Sequence, residues 1–87
     1  MITRDDLKRS KMRFTVHADF RDHFENHYRN DAYPRLTCIV ATPRRRKSKF
    51  QFSKIFYVDG VEVFGCRELL ARLNAPALSV IPKGAAA

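Results

Sequence analysis

The chain has 87 residues, seventeen Lys and Arg against nine Asp and Glu, and a net charge of +8 at neutral pH. That length supports one domain, which buries about 60 to 65 % of its unfolded surface and leaves room for a homodimer to supply the rest. No run approaches the eighteen or so apolar residues of a membrane helix, the opening MITRDDLKRS is no secretory signal, and the expected location is cytoplasmic. The positive balance points to nucleic acid or to an acidic or nucleic-acid-binding protein surface.

Thr3 with Asp6 three residues later forms a capping-box start for a short helix, about two turns, anchored by Leu7. From Met12 to Phe20, apolar Met12, Phe14, Val16, Ala18 and Phe20 alternate with Arg13, Thr15, His17 and Asp19, which predicts a half-buried strand. Asp19 then offers a cap for a helix from Phe20 to Asn30, with Phe20, Phe24 and Tyr28 four residues apart on one stripe and Pro34 beyond its end. Arg35 to Thr42 is rich in β-branched and apolar residues and predicts a central strand covered on both faces or nearly so.

Arg44 to Lys49 predicts a solvated loop or the exposed beginning of the next strand, and Phe50 to Val58 with Val61 to Phe64 a hairpin about Asp59-Gly60, a pair suited to the positive φ of a type I′ turn. That register puts Phe50, Phe52, Phe56, Val58, Val61 and Val63 on one face, interrupted by Lys54, and Ile55, Tyr57, Glu62 and Phe64 on the other. Lys54 on an apolar face implies a bulge, an edge position or a function. Phe50, Phe52 and Phe56 are expected in the core, and Tyr57 and Phe64 outside it. Cys66 to Leu73 predicts an amphipathic helix stopped by Asn74 and Pro76, and Ala77 onward a flexible tail.

The expected architecture is a small single α+β domain over residues 1–76, with an antiparallel sheet of about four strands and two main helices packed on one face. A helix, three strands and a final helix is also the order of double-stranded-RNA-binding domains. The lysine cluster those domains carry at the start of the last helix has no counterpart at Cys66, Arg67 and Glu68, so no family is assigned.

Between Asp31 and Asp59 lie twenty-seven residues with seven bases and no acid. Lys and Arg at this density neutralise phosphates and position a protein on nucleic acid without reading its sequence. The expected contacts to nucleic acid or partner are Arg13, Arg35, Arg44, Arg45, Arg46, Lys47, Lys49, Lys54 and Tyr57. Cys38 and Cys66 are too few for a disulfide framework and lack zinc spacing. His23 and His27, four apart on the expected helix, could share a metal only with further ligands from Cys38, Cys66, His17 or an acid, and Cys38 reads as a core residue, so neither metal nor cofactor is expected. The function expected is a regulatory, non-enzymatic nucleic-acid-binding protein. Two alternatives stand beside it: a small inhibitor or adaptor of the host-directed viral type, docking its basic face on a larger protein, and an RNA-cleaving toxin using His17, His23 and His27 as proton carriers.

Overall fold

A computed structural model describes residues 1–45 and 47–77. The tail expected from Ala77 lies, after Ala77 itself, outside the described residues. The elements are helix α1 (Arg4–Arg9), strands β1 (Met12–Asp19), β2 (His23–Asn30), β3 (Leu36–Pro43), β4 (Ser53–Val58) and β5 (Val61–Val63), and helix α2 (Cys66–Asn74). The strands form one antiparallel meander in chain order β1-β2-β3-β4-β5. The protein is thus an α+β domain with five strands where the sequence suggested four.

The additional strand is β2, which replaces the helix expected over Phe20 to Asn30. A four-residue spacing is even, so Phe20, Phe24 and Tyr28 suit one face of a strand as well as one stripe of a helix. Phe, Tyr, His and Asn are poor helix formers, and alternation of Phe24, Asn26, Tyr28 and Asn30 with His23, Glu25, His27 and Arg29 lets β2 pair with β1 on one side and β3 on the other. The two-sided ladder outweighs the local cap at Asp19.

Register sorts the side chains. Leu36, Cys38, Val40 and Thr42 share a face with Phe24, Asn26, Tyr28 and Asn30 on β2 and with Lys54, Phe56 and Val58 on β4. We call this the core face, and the other, carrying His23, Glu25, His27, Arg29, Ile39, Ile55 and Tyr57, the open face. A register shift between Phe14 and Val16 lets Phe14 and His17 both oppose core-face residues of β2.

The buried cluster is Leu36, Val58, Val63, Leu69 and Leu73, with Ile2, Leu7, Met12, Tyr33 and Phe56 packed against it. It therefore occupies one end of the core face, where β3 begins and β4 ends. β3 is the central strand and none of its residues is exposed: Leu36, Cys38 and Thr42 are buried, and Thr37, Ile39 and Ala41 on the open face are half-buried.

Polar anchors hold this end. The capping box forms as expected, Thr3 and Asp6 satisfying one another's backbone amides. Buried Asn30 accepts from the amides of Ala32 and Tyr33, both at 2.9 Å, and donates to Ser10 Oγ at 2.8 Å, fixing the β2–β3 connection. The hairpin turn has φ of 53° at Asp59 and 80° at Gly60, the signs a type I′ turn requires, and Val58 opposes Val61 as predicted.

Arg35 joins that turn to α2. Its Nε and Nη2 donate to the two Asp59 carboxylate oxygens at 2.9 and 2.8 Å, while Nη1 and Nη2 donate to the carbonyls of Leu73, Ala75 and Arg72 at 3.2, 3.0 and 3.0 Å. All five guanidinium donors are used. A cation at the C-terminus of α2 satisfies orphan carbonyls and suits the helix dipole.

Leu73 is 4 % exposed within this cluster. Leu73→Ala is expected to lower the unfolding free energy by about 2 to 5 kcal/mol, measured by urea denaturation; a loss within error of zero would place the core elsewhere.

Candidate nucleic-acid interface

The β3–β4 loop and the β1–β2 turn both lie at the end of the sheet away from the buried cluster. They are tied together by Arg44, whose backbone amide donates to the Asp22 carbonyl at 3.0 Å. Its guanidinium Nε donates to the Phe20 carbonyl at 3.1 Å, Nη2 pairs with the Asp19 carboxylate, and the group lies 5.9 Å from the centroid of the Phe24 ring. Arg44 therefore braces two loops against each other.

Around that brace the charge is positive. Arg21, Asp22, Pro43, Arg44 and Arg45 line an open recess of about 560 Å³ between the loops. Arg45, Lys47 and Lys49 are exposed. The Lys47 amide donates to Gln51 Oε1 at 3.0 Å and the Gln51 amide to the Ser48 carbonyl at 3.1 Å, which closes the loop on itself. Lys49 Nζ stands 5.2 Å from the Phe50 ring centroid, cation–π range. Arg46 lies outside the described residues.

Phe50 and Phe52 depart from expectation. They precede β4 rather than extending it, and they are 73 % and 47 % exposed. With Lys47, Ser48 and Lys49 before them, the chain closes a local turn in place of pairing with β3, so period-two alternation continues in the sequence where no strand exists. Phe56 packs against the core and Phe64 is exposed, as expected.

Lys54 sits opposite Val40 in an unbroken β3–β4 register, on an interior strand. Neither a bulge nor an edge explains it. The explanation is position: this part of the core face lies away from the buried cluster, so Lys54 is exposed, with Nζ 5.3 Å from the Phe56 ring centroid. Its neighbours are aromatic. Phe14, 54 % exposed, meets Tyr28 edge-to-face at 6.0 Å, and Tyr28, Phe52 and Lys54 share a recess of about 230 Å³ floored by Cys38 and Val40.

The remaining predicted residues separate. Arg35 is engaged throughout by Asp59 and α2, as described, and the neighbouring carboxylate raises its pKa further. Arg13 and Tyr57 are on the open face, where Arg13 lies directly opposite Arg29. Arg29 was hidden by the helix reading, since only strand pairing sets it beside Arg13.

The histidines also divide. His17 is on the core face, with Nδ1 2.7 Å from Asn26 Oδ1 and Nε2 3.1 Å from Asp19 Oδ2. His23 and His27 are on the open face and share Glu25, at 3.2 and 3.0 Å from its two oxygens. They flank Glu25 on one face of β2, and both rings turn toward its carboxylate. Among the described residues, no group of three or more His, Cys, Asp or Glu could hold a metal, and no helix is long and apolar enough to cross a membrane. Burial pushes the Cys38 thiol up, which makes it a packing residue and a poor nucleophile.

The Arg44 hydrogen bond, with His17 beside it, holds the Asp19 carboxyl below its ordinary value of 3.8. A depressed carboxylate pKa stabilises the fold above the unfolded value, and that contribution is lost as pH falls through the folded value. Arg44→Ala is expected to move the Asp19 midpoint upward in an NMR titration, whereas an unmoved midpoint would mean the brace does not form. The chain matches no family model, no curated protein and no solved structure.

Proposed function

We propose that this protein binds nucleic acid through the phosphate backbone, using the 44–49 loop with Lys54 at its flank, and that it acts as a regulatory, non-enzymatic binder. The observation that supports the reading is the one-sided charge. The acid-free span from residue 32 to 58 folds so that Arg45, Lys47, Lys49 and Lys54 are all exposed near the end of the sheet remote from the core. The two acids nearest them, Asp19 and Asp22, belong to the β1–β2 turn, and Asp19 is already neutralised by Arg44.

On this reading both helices pack on the core face at its Leu36–Val58 end, which keeps them clear of the contact. Arg44 positions the loop more than it touches phosphate, and Arg35 drops out of the contact set. Arg13, with Arg29 opposite it, adds to the long-range field from the other face. Cleavage of RNA has no support in the arrangement of the histidines, because His17 is on the other face of the sheet from His23 and His27.

Phosphate contacts release counterions, so affinity falls with salt. With about four contacts, the slope of log affinity against log salt on duplex DNA is expected at about −3.6. Arg45→Ala with Lys47→Ala and Lys49→Ala should reduce its magnitude by about 2.7 and weaken all sequences alike, since phosphate contacts carry no base information. Anisotropy titrations across a salt series check this. A salt-independent curve, or no binding to DNA or RNA at low salt, would contradict the proposal, and stoichiometric capture of one protein that survives nuclease treatment would favour an inhibitor or adaptor.

A further inference from the structure

The basic loop explains attraction to phosphate but not the aromatic surface beside it. Phe14, on the core face of edge strand β1, and Phe52, just before β4, are each about half exposed, and Phe50 more so. Tyr28 stands between Phe14, which it meets edge-to-face, and the recess it shares with Phe52 and Lys54. A contiguous exposed apolar patch of this kind marks an interaction site.

Three features select its occupant. The surface is aromatic and its floor is a sheet, with Tyr28 and Phe52 lining one recess of about 230 Å³ over Cys38 and Val40. Its rim is cationic: Lys54 projects from the same face, and the 44–49 loop continues from Phe50. Its carboxylate, Asp19, is engaged by Arg44 and His17, whereas the open face carries two carboxylates, Glu25 and Glu62, beside Ile39, Ile55 and half-buried Tyr57. A second copy of a chain with charge +8 would repel this rim. A polyanion with unpaired aromatic groups complements both parts. Duplex bases stack on one another and leave no ring face free, while an unpaired strand offers each base to an aromatic side chain and each phosphate to a neighbouring base of the protein.

We infer that the nucleic acid bound here is single-stranded, with unpaired bases stacked on Phe14, Tyr28 and Phe52 while its phosphates follow Lys54 and the 44–49 loop. This rests on the phosphate-binding reading and adds the class of strand. Lys54 then has a definite role: it sets a cation beside the stacking ring, so one nucleotide is held by its base and its phosphate together. Because every base has a π-face, such a site tolerates many sequences.

The test uses a fluorescein-labelled mixed-sequence single strand, as DNA and as RNA, and the duplex of the same sequence, titrated with the full chain at low salt. The single strand should bind more tightly than the duplex. Phe14→Leu with Phe52→Leu keeps apolar bulk but removes both rings, and should weaken single-strand binding by about tenfold or more while leaving duplex affinity and the salt slope unchanged. An unchanged melting temperature shows that the variant is folded; should it not be, Phe52→Leu alone provides the same comparison. Equal affinity for duplex and single strand, or a folded variant that binds single strands like the parent, overturns the stacking inference while leaving phosphate binding intact. No binding of either strand form overturns both.

Discussion

The constraint behind this structure is how little of its sheet the chain can bury. Five strands present two faces, and the helices available are six and nine residues long. The buried cluster therefore forms at one end of one face, from Leu36, Val58, Val63, Leu69 and Leu73. Beyond it Cys38 and Thr42 are still buried, but Phe14, Phe50, Phe52 and Lys54 are surface, although their sequence pattern looks like core. Small chains generally bury a modest fraction of their surface; this one concentrates the deficit where its bases and aromatic rings lie.

Two arginines make that division stable. At the buried end, Arg35 uses all its donors to join the Asp59-Gly60 turn to the C-terminus of α2. At the remote end, Arg44 joins the β1–β2 turn to the β3–β4 loop through Asp19 and the Phe20 carbonyl. Both belong to the acid-free span, and both are engaged with the protein itself. Among the described residues of that span, the charge left to act outward is on Arg45, Lys47, Lys49 and Lys54, so the proposed interface is smaller than a count of basic residues suggests. Its electrostatics are correspondingly local, with the aromatic surface immediately alongside.

Much of the fold could be read from the sequence where a local rule had one solution. The Asp59-Gly60 hairpin, the Thr3–Asp6 capping box, β1, β3 and α2 all follow from turn chemistry or periodicity. The misassigned helix arose where a rule had two solutions, because Phe20, Phe24 and Tyr28 satisfy both periods and only pairing partners distant in sequence decide between them. Phe50 and Phe52 were misplaced for a related reason: alternation cannot say where a strand starts, and here Gln51 and Ser48 close a turn first. For the candidate site, composition located the loop, but the engagement of Arg35, the pairing of Arg13 with Arg29 and the exposed setting of Lys54 depend on tertiary register.

The most direct test of the central claim is a map of the contact surface by amide chemical-shift perturbation, titrating the isotopically labelled protein with a single-stranded oligonucleotide. Shifts are expected at residues 44–54 and at Phe14 and Tyr28, with Arg29, Ile39 and Tyr57 on the open face unmoved. Perturbations concentrated on that open face, or none at all at saturating oligonucleotide, would contradict the account.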